Sequence, residues 1–174
     1  MKEERLDLVN INDEVVGNAT REDIYGENLK YYRIVKGIIR TSDGKILLPK
    51  RSKYKRVFPN CYDISLSGHV DKGETYEGAL RRELSEELGI KDAKYKQIAY
   101  LTPEQLNSNY FIKLFMVDYD GKVRVDENEV ESANYVELDT LKKMIDERPS
   151  GFKEDFLFLL KMVNLHQIDK DIQR

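Results

Sequence analysis

The sequence predicts an α/β fold, on three observations. β-branched and aromatic runs at 34–40, 45–50 and 110–119 read as strands. Residues 75–88 are mostly good helix formers, with one Gly and no Pro. The two kinds of segment alternate along the chain, which is the mark of helices laid against a sheet. The 174 residues, 40% hydrophobic and 35% charged, suit one soluble domain over 1–174 with a core of its own.

Taken in order, residues 6–10 and 15–19 read as a hairpin turning at Asn12-Asp13, so about 5–20 is an N-terminal β-hairpin added ahead of the core. Residues 21–30 are polar, a short helix or loop. The runs 34–40 and 45–50 pair across Ser42-Asp43-Gly44. Residues 51–56 form a basic loop in which Arg51 and Arg56 are candidates to meet substrate phosphates, since a guanidinium fits phosphate well. Residues 62–66 read as a short strand running into Gly68. Residues 94–101 alternate as a strand, 102–109 are a loop, and 110–119 are apolar enough for a central strand buried on both faces. An acidic loop, 126–129, precedes a short strand at 134–137. Asp139 caps a helix to about Glu147, ended by Pro149, and Ser150 caps a last helix with Phe152, Phe156, Leu159, Leu160 and Val163 on its apolar face. The C-terminal helices thus span about 139–168, with a polar tail from Asp169.

The helix at 75–88 carries the chemistry. Thr75 is an N-cap candidate, and Gly89 stands where a left-handed residue would stop the helix. Tyr76, Leu80, Leu84 and Leu88 form an apolar stripe at i, i+4 spacing. Glu83, Glu86 and Glu87 share a neighbouring strip, where their like charges repel and a hard divalent cation such as Mg²⁺ would relieve them. A solvated acidic face is the plain alternative. It leaves unexplained why Gly68, Gly73, Glu74 and Arg82 stand where they do.

Composition excludes several function classes. Net charge is −3, so no basic field invites nucleic acid. No apolar run approaches the roughly 20 residues of a membrane helix. The opening Met-Lys-Glu-Glu-Arg-Leu-Asp is too charged for a signal peptide, and the single cysteine, Cys61, has no internal partner, so a cytoplasmic protein is expected.

Residues 68–90 resemble the Nudix box, G-x5-E-x7-R-E-U-x-E-E-x-G-U, with U a bulky aliphatic residue. Gly68, Glu74, Arg82, Glu83, Leu84, Glu86, Glu87, Gly89 and Ile90 fill every specified position. The resemblance implies an α/β/α sandwich around a mixed sheet. It also implies a MutT-like pyrophosphohydrolase: water attacks a phosphorus of a nucleoside diphosphate derivative (NDP-X), and Mg²⁺ or Mn²⁺ holds the phosphates. Carried over by position, Glu86 and Glu87 are metal ligands, Glu83 is a ligand and an aid to deprotonating water, and the Gly68 carbonyl is a further ligand. Glu74 and Arg82 support the loop as a salt bridge. Glu129, with Glu127 next, matches the family's further carboxylate beyond the box. The implied partner is a small nucleotide or diphosphate substrate.

Residues 58–69 and the opening hairpin also resemble the isopentenyl-diphosphate isomerase branch of that superfamily. That branch carries Cys-Gly-His where this chain has Ser67-Gly68-His69, and a hydroxyl is a far poorer proton donor than a thiol of pKa about 8.5. The branch also places metal-binding histidines upstream, whereas His69 and His166 are the only histidines here. An isomerase-like hydrolase is the expectation, with His69 as a loop hydrogen-bonding group and Cys61 a small buried residue. An isomerase, or a nucleotide-binding module without catalysis, is the alternative. Tyr31, Tyr32, Tyr62 and Tyr110 are candidates to stack on a base.

Overall fold

The computed structural model describes residues 4–26 and 31–163. His166 and the tail from Asp169 lie outside the described residues, as do 27–30. Strands β1 (Arg5–Val9) and β2 (Val15–Thr20) form the expected antiparallel hairpin, in register from Arg5↔Thr20 to Leu8↔Gly17. Its turn is fastened by the Asn10 side-chain oxygen, which accepts from the N–H groups of Asn12 and Glu14, and Asp13 takes a left-handed φ of 63°. Helix α1 (Arg21–Gly26) follows.

The main sheet comprises β3 (Tyr32–Arg40), β4 (Ile46–Arg51), β5 (Leu66–His69), β6 (Lys94–Leu101), β7 (Tyr110–Asp118) and β8 (Val130–Val136). Their order is β6-β7-β3-β4-β8, with β5 also on β3. β3 and β7 are parallel and the other pairs antiparallel, so the sheet is mixed. Alternation along β3 and β7 sends side chains to two cores. Val35, Ile39, Phe111 and Phe115 pack under α2 (Tyr76–Leu88). Ile38, Ile112, Leu114 and Met116 pack under α4 (Leu138–Glu147) and α5 (Glu154–Met162). The result is the α/β/α sandwich. β3 meets β4 at Arg40 and β5 over Ile34–Gly37, and residues of both β4 and β5 line the cleft described below.

Six expectations are corrected. The strand expected at 62–66 begins only at Leu66: Tyr62 makes isolated bridges to Lys50 and Phe152, and side chains serve residues 64–65. The Ser65 hydroxyl accepts from the Ile39 N–H at 3.1 Å and donates to the Leu47 carbonyl at 2.6 Å, and Asp63 caps the Ile64 N–H. The loop 102–109 contains a short helix, α3 (Pro103–Leu106), started by a capping box between Thr102 and Gln105. β8 begins at Val130 rather than 134, since its pairing with β4 runs back to Arg51↔Val130. Asp139 lies inside the first turn of α4, whose cap position is Glu137. Ser150 lies in a 3₁₀ turn (Pro149–Gly151), and α5 starts after Lys153. Cys61 is half-buried rather than buried. No described helix is long and apolar enough to cross a membrane.

Candidate active site

The site is built on α2 and the loop before it. The Thr75 hydroxyl accepts from the Gly78 N–H at 3.0 Å, and Gly89 ends the helix at φ 68° with its N–H turned back to the Leu84 and Ser85 carbonyls. Tyr76, Ala79, Leu80, Leu84 and Leu88 are buried, which turns Glu83, Glu86 and Glu87 toward a cleft of about 1230 Å³. Gly68 and Glu129 line the same cleft. A Cβ at Gly68 would overlap the Glu83 carboxylate, so glycine lets that carboxylate lie against the strand backbone.

Arg82 is the hub of the loop. Its Nε and Nη2 bond the two Glu74 oxygens at 3.2 and 3.0 Å, and Nη2 also donates to the His69 carbonyl at 2.9 Å. Nη1 reaches Glu83 at 2.7 Å and Glu86 at 3.3 Å. The hairpin grips the same loop from outside. Lys72 N–H donates to the Arg5 carbonyl, and Gly73 N–H donates to Asp7, each at 2.8 Å.

The carboxylates are crowded. Glu87 touches solvent, yet the cleft walls strip water from it, and Glu83 and Glu129 add like charge, pushing its carboxyl up to about 7. Burial raises Glu83 too, against the pull of Arg82. Glu87 makes no hydrogen bond or ion pair among the described residues, whereas Glu129 is paired with Lys55. Among the described residues, no three His, Cys, Asp or Glu side chains converge closely enough to hold a metal ion. The oxygens of Glu83 and Glu86 lie on Arg82 instead. The donors are nonetheless all hard oxygens that lack full countercharge, which suits a cation of the Mg²⁺ type.

Of the basic loop, Arg51 and Lys55 reach the cleft. Arg51 is committed to structure: it donates to the Phe58 and Val57 carbonyls at 3.0 and 2.9 Å and to Asp63 at 3.1 Å. Arg56 is exposed and does not line the cleft. Glu127 does not line it either, while its neighbour Asp126 does.

Beyond β5 the cleft becomes aromatic. Tyr32 and Tyr110 line it, with Tyr25 in front of them. Tyr31 packs on Phe111 and Tyr62 on Phe152 instead, so both belong to the packing. His69 bonds the Tyr25 hydroxyl through Nε2 at 2.9 Å, and burial together with the Arg21 charge pulls it down to about 4, leaving it neutral. The cleft floor holds a chain of charges that the sequence pattern had not singled out. Lys36, 2% exposed, meets Asp155 at 2.9 Å; Asp155 meets Lys153 at 3.1 Å; Lys153 meets Asp63 at 3.5 Å. A lysine inside the apolar run 34–40 was the available signal for it.

The sequence of residues 30–156 matches the family described as NUDIX domain. The chain belongs to the Nudix family. It is 39% identical over 128 residues to an uncharacterized Nudix hydrolase of Nostoc sp., covering 72% of this chain and 76% of that one. A Nudix hydrolase of Deinococcus radiodurans is 36% identical over 138 residues, 78% of this chain and 80% of that one. The crystal structure of DR0079 from Deinococcus radiodurans superposes with a TM-score of 0.78 at 32% identity, over 92% of this chain and 99% of the other. This Nudix protein is accordingly an enzyme, a pyrophosphohydrolase. Its box occupies β5, the loop and α2, all inside the matched stretch.

Proposed function

We propose that the protein hydrolyses the diphosphate linkage of a nucleoside diphosphate derivative, nucleoside di- and triphosphates included, with Mg²⁺ or Mn²⁺. The observation that carries this is Glu87, a carboxylate without a direct partner, set beside two others and pushed up to about 7. Such a group calls for a cation. Glu83, Glu86 and Glu87, with the Gly68 carbonyl, would hold it. When bound, the ion neutralises substrate phosphates and lowers the pKa of water.

The protein's own share is positioning and proton handling. The Glu74–Arg82 pair, with the bond from Arg82 to the His69 carbonyl, keeps the loop 68–74 fixed against α2. Glu83, whose carboxylate lies against Gly68, or Glu129 would take the proton of the attacking water. Lys55, ion-paired with Glu129, adds positive charge to the cleft. Positioning and electrostatics of this kind make up most of what phosphoryl chemistry asks of a protein.

The test is release of phosphate or nucleoside monophosphate from a panel of nucleoside diphosphates, triphosphates and sugar nucleotides, with Mg²⁺. Release is expected, and Glu86→Gln and Glu87→Gln each abolish it. No release across the panel with ligand binding retained would make the protein a binding module. Conversion of isopentenyl diphosphate would make it an isomerase.

A further inference from the structure

Residues 4–26 lie outside the stretch that matches the Nudix domain, yet they supply part of the cleft wall, including Arg21 and Tyr25. Tyr25 is 57% exposed, but its ring is held in place. Its hydroxyl bonds His69 at 2.9 Å, the Arg21 guanidinium lies 5.8 Å from its centroid, and Tyr32 meets it edge-on at 5.9 Å. Arg21 is in turn ion-paired with Glu4 at 3.1 Å. That pairing offsets the Arg21 charge. An exposed aromatic ring of fixed orientation, facing the same cleft as the acidic strip of α2, is a platform for a flat, uncharged ring.

We propose that Tyr25 and Arg21 form the base subsite, in which the heteroaromatic base of a nucleotide adds one more plane to the Arg21–Tyr25 pair while its phosphates lie toward α2. The substrate class rests on the hydrolase reading above; the platform does not. Base specificity in this protein then resides in its N-terminal addition.

The experiment is calorimetric titration of the metal-free protein with the four 5′-nucleoside monophosphates and with ribose 5-phosphate, which keeps the phosphate and lacks the base. At least one monophosphate is expected to bind roughly tenfold or more tighter than ribose 5-phosphate, the scale of one base–aromatic stack. Tyr25→Leu, at an exposed position and with apolar bulk retained, erases that gap and leaves ribose 5-phosphate unchanged. Tyr25→Phe keeps the gap, because the ring remains. The proposal fails if no monophosphate exceeds ribose 5-phosphate, if the gap survives Tyr25→Leu, or if Tyr25→Leu weakens both ligands alike, as a phosphate contact would. Nothing turns over in this measurement, so base binding without phosphate release on the earlier panel would sink the hydrolase reading alone.

Discussion

A methyl group has no room at position 68, because the Glu83 carboxylate occupies the space a Cβ would take. At Gly73, five residues on, the space is open, but φ is +76°. The two glycines are therefore required for different reasons, one for a close approach and one for a backbone conformation. Gly68→Ala forces Glu83 out of place and is expected to cost about 1–3 kcal/mol of stability. Gly73→Ala costs about 1–2 kcal/mol through its left-handed backbone alone. Denaturant melts measure the stabilities, and turnover separates the two. Only the position-68 change should lower activity well beyond its loss of stability, since it alone displaces a box carboxylate. Equal activity losses would contradict this. The box residues were readable because their spacing is a property of one loop and one helix. For Arg51 and Arg56 the spacing was less informative, because a run of like charges does not say which member faces inward.

Between elements, the most consequential contact is the one from β3 to α5. Lys36 is 3% exposed at its side chain and depends on Asp155. Burial would raise the Asp155 carboxyl, but Lys36 and Lys153 together hold it below the usual carboxylate range. A depressed acid stabilises the fold above its unfolded pKa of about 3.9, and that contribution disappears as pH falls through the folded value. Asp155→Asn should thus cost about 3–5 kcal/mol at pH 7, because it strands a buried lysine, and the deficit should shrink in acid below the unfolded value. Lys36→Met, which leaves Asp155 paired with Lys153, should stay near neutral. Thermal melts of both variants at neutral and acid pH check the asymmetry. Such a pair is hard to read from sequence, since its partners are 119 residues apart. The helix caps were partly legible. Thr75 and Gly89 are local signals, and so was the Thr102–Gln105 box, overlooked inside what read as a loop. The start of β8 was not legible, because only β4 decides how far back it pairs.

Across the whole molecule, the N-terminal hairpin is tied in at its tip. Asp13 bonds Arg33 on β3 at 2.6 Å, the Tyr76 hydroxyl on α2 at 3.1 Å and the Tyr100 hydroxyl on β6 at 3.1 Å. Asp13→Asn keeps a residue that tolerates positive φ and removes the charge. It is expected to cost about 1–3 kcal/mol, with hydrogen exchange accelerating first in β1 and β2. Unchanged protection in the hairpin would show that its edges, not its tip, hold it. The mixed topology was available only through family resemblance, since periodicity finds strands and does not name their neighbours. The parallel pairing of β3 with β7 joins Tyr32 to Tyr110 and Arg40 to Asp118. On a ribosome adding about 5–20 residues per second, β3 would emerge on the order of 4–16 s before the strand that covers its flank. Until then that flank of β3 is open to water or a chaperone, and the acidic helix is synthesised during that wait.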